Sequence, residues 1–282
     1  MKPLNCCIIH SFIENEIEIH RLFEDLNSAY GFDFTEYAKS SAMRRVMYFM
    51  EIHKIPTISD LTRILLRNEH VFASFVQEFT VNVTEMFRDP EFYQALRQTV
   101  VKKLSSYPVI KIWIAGCSTG EEAYSTAILL EEEGLLNRSI IYATDLNPRV
   151  VFLAKKGVYS QELMELYGKN YNEAGGKKSL SDYYTADYGS VIFDSRLKKH
   201  MVFSVHNLAA DTSFNEFQLI LCRNVLIYFN QSLQNRVFNL FHDSLCTFGY
   251  LGLGSKESML FSDKRHDFVE VDRNRKIFKR KY

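Results

Sequence analysis

A short apolar strand that runs through a glycine-containing turn into an apolar helix constrains the fold of this chain more than any other feature. It spans Lys111–Glu122 and reads K-I-W-I-A-G-C-S-T-G-E-E, with Gly116 and Gly120 in the turn. Glycine lets the backbone approach a ligand closely, and an open α/β sheet binds its ligands at the carboxyl ends of its strands. The segment therefore predicts an α/β sheet with a nucleotide cleft at this turn.

The next predicted strand adds an acidic side chain to this cleft. It covers residues 139–144 and ends at Asp145, roughly 20 residues beyond the turn, where a carboxylate is placed to hold ribose hydroxyls. Glu121 and Glu122 open the helix after the turn, and two carboxylates repel a pyrophosphate but attract an ammonium group. The pattern favours S-adenosylmethionine, which carries a ribose and an amino acid but no phosphate, over a dinucleotide.

The composition is globular and argues against several classes of partner. Of the 282 residues 46% are hydrophobic, and 34 basic side chains balance 34 acidic ones. No global field therefore draws the chain to nucleic acid or to a membrane surface. No apolar run approaches the roughly 20 residues that span a bilayer, and residues 1–10 are too short and poorly organised for a signal peptide. We expect neither a nucleic-acid partner nor membrane insertion.

The cysteines indicate a reducing, cytoplasmic protein. They are odd in number and show no spacing typical of a metal site: Cys6, Cys7, Cys117, Cys222 and Cys246. Cys222 and Cys246 lie in apolar segments and are expected to pack as small hydrophobic residues. Cys117 lies in the glycine turn, and we interpret it as a small residue that faces the ligand rather than as a nucleophile.

The hydrophobic pattern changes about a third of the way along the chain. Apolar residues recur at helix spacing up to residue 79, which predicts an all-helical domain over residues 1–80. Beyond Pro90 strands and helices alternate, which predicts an α/β domain over residues 81–282 with a small insertion at about 157–200. The predicted strands are 110–115, 139–144, 201–205, 217–221 and 250–253, the helices include 90–104, 148–156 and 231–245, and hairpins are expected at 183–192 and 268–278.

Four further motifs combine polar residues with predicted strand ends or the domain junction. They are Asn82–Arg88 (N-V-T-E-M-F-R), Ala143–Asn147 (A-T-D-L-N), Val205–Leu208 (V-H-N-L) and Cys222–Phe229 (C-R-N-V-L-I-Y-F). All but the first follow an apolar strand at its carboxyl end, where buried polar groups must find partners. Such residues are typical of a cofactor cleft.

Together these motifs resemble the CheR family of bacterial chemotaxis receptor methyltransferases, and the resemblance covers nearly the whole chain. The combination of C-S-T-G-E-E with C-R-N-V-x-I-Y-F is highly specific. It implies a Rossmann-like S-adenosylmethionine-dependent methyltransferase fold with an N-terminal helical domain and a small β-subdomain, and methylation of receptor glutamates. The cofactor contacts that it implies, with the first glycine of the turn added, are Asn82, Thr84, Arg88, Gly116, Glu122, Asp145, Asn207, Leu208, Arg223, Asn224 and Val225.

The resemblance also implies the catalytic residues, because Arg88 and Tyr228 match the two residues beside the reacting methyl group. A glutamate side chain has a pKa near 4.3, so at neutral pH it is already a carboxylate and needs no general base. Catalysis then consists mostly of positioning the reactants, which lowers the activation free energy by up to roughly 7–11 kcal/mol. We expect Arg88 to orient the acceptor or cofactor carboxylate, Glu122 to hold the ammonium, Asp145 the ribose, and Tyr228 to line the methyl channel.

Each of these residues also has a structural interpretation. Arg88 could cap a helix or pair with Glu91, Tyr228 could be a core aromatic, and Asp145 could cap the helix that begins at Pro148. The remaining three alternatives are that Glu121 is solvated or structural, that His206 is a packed histidine, and that Lys39, Arg44 and Arg45 form an ordinary solvated face.

The resemblance implies a partner as well. In this family a basic N-terminal helix meets the acidic helical cytoplasmic region of a receptor, so Lys39, Arg44 and Arg45 are candidates for a docking surface on a monomeric enzyme. The insertion corresponds to the small β-subdomain that tethers a receptor peptide in some members, but it lacks the expected glycine pattern, so tethering is not expected. Ala123 replaces the usual proline after G-E-E, which a helix start tolerates.

Two other functions fit the same motifs. One is a methyltransferase for a different acidic signalling protein, and the other is a non-catalytic module that senses S-adenosylmethionine or its product. The presence of both Arg88 and Tyr228 favours an enzyme, because a sensor needs neither beside the methyl group.

Overall fold

The computed structural model describes residues 4–80 and 82–282, with side chains from residue 15 onward. The chain divides into two compact units. The first consists of Met1–Val81 with Tyr228–Gln234, and the second of Asn82–Ile227 with Asn235–Tyr282. Cys6 and Cys7 lie outside the described side chains.

The described part of the first unit is helical, as predicted. Its helices are α1 (Leu4–Tyr30), α2 (Lys39–Ile52), α3 (Ile58–Arg67) and α4 (Glu69–Phe79). Thr57 begins α3, because its side chain accepts the backbone N–H of Asp60 at 3.0 Å. Aromatic rings fill the core around Phe34, which lies 4.7 Å from Phe79 and 5.4 Å from Tyr37 between ring centroids.

A segment from far along the sequence completes this helical unit. The backbone N–H of Ala38 donates to the carbonyl of Tyr228 at 2.9 Å, and that of Asn230 donates to Glu36 at 2.9 Å. Between them Tyr37 and Phe229 form an isolated antiparallel bridge. The last residues of the C-R-N-V-L-I-Y-F motif therefore belong to the helical unit.

The second unit is an α/β sheet with helices. Its strands are β1 (Ile110–Ala115), β2 (Ser139–Asp145), β3 (Val158–Ser160), β4 (Tyr184–Asp187), β5 (Ser190–Phe193), β6 (Met201–Val205), β7 (Phe217–Cys222), β8 (Leu245–Leu253), β9 (Phe268–Asp272) and β10 (Ile277–Arg280). The helices are α5 (Pro90–Ala95), α6 (Lys102–Leu104), α7 (Glu121–Glu132), α8 (Pro148–Lys156), α9 (Met164–Glu173), α10 (Ser195–Lys198) and α11 (Gln231–Ser244), whose first residues belong to the other unit.

The order of the strands places the predicted strand ends side by side. The main sheet runs β6-β2-β1-β7-β8-β10-β9, and its first five strands are parallel. The carboxyl ends of β6, β2, β1 and β7 therefore meet at one edge. The helix after the glycine turn, α7, is buried from Glu121 to Leu130. The fold predicted from the sequence is confirmed, and the insertion forms a separate sheet, β3-β5-β4, that contains the expected hairpin.

Two predicted elements differ from the structure. The helix over 90–104 has a π-helical middle, Leu96–Val101. The strand predicted at 250–253 begins at Leu245, where the predicted helix was to end, and its pairing with β7 shifts register near Phe217. Gly249 packs against backbone carbonyls there, since a Cβ would lie 2.9 Å from the Cys246 oxygen. This irregular pairing is a long-range feature that periodicity does not report.

Among the described residues, none of the helices combines the length and the apolar character that crossing a lipid bilayer demands.

Candidate functional site

The turn after β1 is held by the neighbouring strand and by close packing. The backbone N–H groups of Gly116 and Cys117 both donate to the carbonyl of Thr144 at 2.8 Å. Gly116 has φ 81°, and a Cβ added there would collide with the side chain of Val225. Glycine is therefore required at this position both by the backbone and by the C-R-N-V motif that covers it.

The two glutamates at the start of α7 have different partners. Glu121 is buried, and it accepts hydrogen bonds from the Thr119 hydroxyl at 2.7 Å and the Tyr167 hydroxyl at 3.4 Å. Burial raises the pKa of Glu121, and these hydroxyls oppose the rise. Glu121 is thus structural rather than solvated. Glu122 instead faces the other motifs through Arg223, and its Oε1 accepts from the guanidinium at 2.9 Å.

Arg223 joins three of the predicted motifs. Its side chain is 3% exposed, and it pairs with Glu122 and, at 2.7 Å, with Asp89. The same guanidinium donates to the carbonyl of Arg88 at 2.8 Å and lies 4.2 Å from the ring centroid of Phe92. A buried ion pair of this kind is costly to break, because the partner charge is left unpaired. We call Arg223 with Glu122 and Asp89 the arginine hub.

The segment that carries Arg88 is held in an unusual backbone conformation. Phe87 and Asp89 on either side of it have φ values of 51° and 55°, in the left-handed region that non-glycine residues rarely adopt. Ser125 accepts the N–H of Phe87 at 2.9 Å. The Arg88 guanidinium contacts the carbonyl of Val83 at 3.3 Å. Such strain is concentrated at functional sites.

Arg88 and Glu91 do not form the ion pair that was considered as an alternative. The Glu91 carboxylate contacts Arg275 instead. Within the same stretch, Asn82 and Thr84 lie half-buried just before Arg88, in the order in which the sequence places them.

Asp145 lies at the end of β2 and faces the glycine turn. Its carboxylate accepts the backbone N–H of Ser118 at 2.9 Å and that of Asn147 at 3.0 Å. Burial raises the pKa of Asp145, and these backbone donors oppose the rise. The cap of α8 is Asn147, whose side chain accepts the N–H of Arg149, so Asp145 is not the capping residue.

The residues after β6 lie beside Asp145. The backbone N–H of His206 donates to the Asp145 carbonyl at 3.1 Å, and Asn207 forms a turn in which its side-chain oxygen accepts the N–H of Ala209 at 2.9 Å. Leu208 is buried. His206 is a packed histidine, with its ring 5.1 Å from that of Trp113.

Glu257 was missed in the sequence although it holds the turn after β7. It lies just beyond β8, is 4% exposed, and accepts the N–H groups of Asn224 (3.1 Å), Val225 (2.8 Å), Leu226 (2.7 Å) and Gly254 (2.6 Å). The available signal was an acidic residue shortly after an apolar strand, the same signal that identified Asp145.

The insertion also supports the site, which the sequence did not indicate. Tyr159 donates to the Thr119 carbonyl at 2.8 Å, and Asn170 donates to the Met86 carbonyl at 3.1 Å. Tyr167 adds the contact with Glu121 described above. The insertion is therefore part of the scaffold of the glycine turn and of the segment before Arg88.

Tyr228 belongs to the helical unit and contacts Arg45 of α2. The Arg45 guanidinium lies 4.4 Å from the Tyr228 ring centroid and donates to the Phe79 carbonyl at 2.6 Å. Because Arg45 is buried, its assignment to a docking surface was wrong. Lys39 and Arg44 are exposed, and Lys39 pairs with Glu16 at 3.3 Å.

The chemistry at the turn fits a phosphate-free ligand. Two carboxylates at this edge, Glu122 in the first turn of α7 and Asp145 at the end of β2, are acceptors suited to ammonium and hydroxyl groups, and the charge of Glu122 is shared with Arg223. Burial, with a contribution from Asp145, raises the pKa of the Cys117 thiol well above its usual value, so this cysteine is not an activated nucleophile.

Comparisons with known proteins identify both units. Residues 82–276 match the family model described as CheR methyltransferase, SAM binding domain, and residues 17–80 match CheR methyltransferase, all-alpha domain. Cher3 of Pseudomonas putida, named as a methyltransferase, is 48% identical over 265 residues, which cover 94% of this chain and 97% of that protein. A chemotaxis protein methyltransferase of Listeria innocua is 31% identical over 233 residues, or 82% and 86% of the two chains.

A solved structure to which the chain is similar shows a lower sequence identity than these two relatives. The N-methyltransferase NodS of Bradyrhizobium japonicum, in complex with S-adenosylhomocysteine, is 15% identical with a TM-score of 0.32, and the match covers 60% of this chain and 62% of that one.

Proposed function

This chain belongs to the CheR methyltransferase family, and on that premise we propose that it methylates glutamate side chains of a chemoreceptor or a similar signalling protein during sensory adaptation. It is a methyltransferase whose second unit is an S-adenosylmethionine-binding domain. The proposed reaction makes it a protein-glutamate O-methyltransferase acting in the cytoplasm.

The observation that carries the proposal is the arginine hub. Through it, the start of α7, the turn after β7 and the backbone of Arg88 share one buried cation. These three segments come from distant parts of the sequence, and each carries residues predicted to contact the cofactor. Three hydrogen bonds of this cation go to its own protein partners, so Arg223 is proposed to align the cofactor-binding segments.

The proposed roles follow from charge and position. Glu122, whose carboxylate is oriented by Arg223, would hold the ammonium of S-adenosylmethionine, and Asp145 at the end of β2 would hold its ribose. When bound, this cofactor supplies an electrophilic methyl group on a positively charged sulfur. Gly116 provides the close backbone approach, and we retain Asn82, Thr84, Asn207, Leu208, Asn224 and Val225 as proposed cofactor contacts.

The acceptor needs orientation rather than deprotonation. A glutamate carboxylate is ionised at neutral pH, so it would supply the electron pair of the new ester bond, while the methyl–sulfur bond of the cofactor would break with its electrons left on sulfur. Arg88 is the proposed group that orients this carboxylate or that of the cofactor, and Tyr228 is proposed to offer its hydroxyl to one acceptor oxygen. Arg45 supports the second role, since its guanidinium lies over the Tyr228 ring and fixes the orientation of that ring.

The proposed docking surface is smaller than the sequence indicated. It keeps Lys39 and Arg44, which are exposed on α2, and excludes the buried Arg45. Its proposed partner is the acidic helical region of a receptor, because an exposed basic face attracts an acidic partner in a salt-dependent manner. We retain a monomer as the proposed state.

The test is methyl transfer from labelled S-adenosylmethionine to a helical receptor fragment, with base-labile methyl esters as the readout. Substituting Arg88→Ala is expected to lower kcat/KM by about 100-fold or more, because misplacement of a reacting group has effects of that size. The fold should persist, since among the described residues the hydrogen bond of this side chain is a long one, at 3.3 Å to the Val83 carbonyl. Arg275→Ala, which removes a surface contact with Glu91, is the matched control and should retain activity.

Two results would contradict the proposal. One is unchanged turnover in the Arg88→Ala variant, which would remove its assigned role. The other is binding of S-adenosylhomocysteine with no ester formed on any acidic helical fragment, which would indicate a sensor.

A further inference from the structure

The carboxylate of Glu257 is saturated by backbone donors. An ionised carboxylate offers about four lone-pair positions. Oε1 accepts the N–H groups of Val225 and Leu226, and Oε2 accepts those of Asn224 and Gly254. With two donors on each oxygen, no acceptor position is left for a ligand. Glu257 therefore holds the backbone N–H groups of its neighbours and does not bind a ligand itself.

The backbone that Glu257 holds is strained. Asn224 has φ 62°, in the left-handed region, and such a conformation persists only where the surroundings impose it. Three consecutive N–H groups of this turn point at one carboxylate, which is the imposing contact. Gly254 has to be small for the same reason, since a Cβ there would lie 2.8 Å from the nitrogen of Asn224 and 2.9 Å from Oε2 of Glu257.

The turn that Glu257 holds also contacts the glycine turn after β1. The Val225 side chain occupies the space in which a Cβ of Gly116 would lie, so the position of Val225 sets the gap between the two motifs. A carboxylate that fixes the N–H groups on both sides of Val225 therefore fixes this contact as well.

We propose that Glu257 is a positioning residue for S-adenosylmethionine: its carboxylate holds Asn224–Leu226 in the binding conformation without touching the cofactor. The proposal rests on the proposed function in one respect, the assignment of Asn224 and Val225 as cofactor contacts. It assigns a role to a loop residue outside every motif from which the site was predicted.

The test is the affinity of the full-length chain for S-adenosylhomocysteine, measured by calorimetry with the Glu257→Gln variant. An amide presents one oxygen and an NH₂ group, so two of the four backbone donors lose their acceptor. We expect the Kd to rise by about 10- to 100-fold, together with a lower Tm.

A matched control distinguishes a specific effect on cofactor binding from a general effect on the stability of the fold. Glu132 is also a buried carboxylate of this unit, and its partners are Arg97, Tyr171 and the backbone of Lys177 at the far end of α7. Glu132→Gln should lower the Tm and leave the Kd unchanged. A folded Glu257→Gln variant that binds S-adenosylhomocysteine as tightly as the wild type would overturn the proposal.

A second variant keeps the test decisive should Glu257→Gln fail to fold. Gly254→Ala retains the carboxylate but presses a methyl group against Asn224, so it should also raise the Kd, and an unchanged Kd would again overturn the proposal. Failure of the proposed function has a different signature. In that case the wild type binds S-adenosylhomocysteine and forms no glutamyl ester, while the change in Kd is unaffected.

Discussion

Two buried charges hold the segment after β7, and their partners differ in kind. Arg223 is neutralised by the side chains of Glu122 and Asp89, whereas Glu257 is surrounded by backbone N–H groups. An ion pair between side chains depends on residue type at both ends. A carboxylate held by backbone donors depends on residue type at one end and on conformation at the other.

This difference determines for which of the two charges the partners can be found in a sequence. Arg223 lies in a motif together with polar neighbours, and its acidic partners are Glu122 of the glycine-turn motif and Asp89, which directly follows the Asn82–Arg88 motif. The partners of Glu257 are backbone N–H groups, which every residue except proline possesses, so no sequence pattern identifies them. The first two predictions test the ion pair of Arg223, and the other two extend the comparison to Arg45 and Asp145, two further buried ionisable groups.

The largest stability effect is expected from Arg223→Met. Removing the cation leaves the carboxylate of Glu122, which is 11% exposed, without its partner. Breaking a buried pair in this way costs about 3–5 kcal/mol, and the affinity for S-adenosylhomocysteine should fall with it. Urea unfolding measures the first effect. Arg196→Met, which removes an exposed cation from its pairs with Asp194 and Glu131, is the control and should leave the Tm unchanged. Wild-type stability of Arg223→Met would show that the hub is not an anchor.

A second test compares the adjacent residues Glu121 and Glu122, of which only Glu122 pairs with Arg223. Glu122→Gln removes a charge paired with Arg223 and should weaken binding of S-adenosylhomocysteine by about tenfold. Glu121→Gln should have a smaller effect, because the partners of Glu121 are two neutral hydroxyl groups, one on each oxygen: the amide oxygen accepts from one hydroxyl and the amide NH₂ donates to the other. Calorimetry on both variants decides the order, and equal losses of affinity would mean that the hub contributes nothing specific.

The comparison extends to two neighbouring arginines of α2. Arg45→Met should lower the free energy of unfolding by about 1–3 kcal/mol, because the buried guanidinium donates to Phe79 and packs on Tyr228. Arg44→Met should leave unfolding unchanged and lower kcat/KM for the receptor fragment by about two- to fivefold at low salt. The effect of Arg44 on kcat/KM should disappear at high salt. Persistence of that effect would contradict an electrostatic docking role.

The smallest effect concerns pH and Asp145. Burial raises its pKa, so the folded chain binds this proton more tightly than the unfolded chain. The resulting stability is present at acidic pH and is lost as the pH rises through the folded pKa. Relative to Asp145→Asn, the wild type should therefore lose stability as the pH rises from about 4, the ordinary pKa of an aspartate, towards neutrality. Urea unfolding across this range gives the slope, and the opposite slope would mean that the backbone donors outweigh burial.

Most of the fold and part of the site could be predicted because their signals are local. The strand–turn–helix at Lys111–Glu122 combines apolar periodicity with glycine, and the acid at Asp145 follows its strand directly. The helical first third of the chain could be predicted in the same way, from its apolar periodicity. The register shift of β8 could not be predicted, since it depends on packing against Phe217 rather than on the residues of the strand itself.

The residues that were misjudged or missed depend on partners far along the chain. Arg45 has the sequence environment of a surface residue and is buried by Phe79 and Tyr228. Tyr159 and Asn170 belong to an insertion without motifs, yet they hold the glycine turn and the Met86 carbonyl.

The sequence by itself determined the family, the α/β architecture, the cofactor class and the residues that carry charge at the strand ends. Those properties follow from local chemistry, in which residue type and spacing suffice. The tertiary structure alone decided which charges are paired, that Glu257 holds the Asn224 turn, and that Tyr228 joins the helical unit. Each of these contacts joins backbone or side-chain groups that only the folded chain brings within hydrogen-bond distance, such as Asp89 and Arg223, which are 134 positions apart.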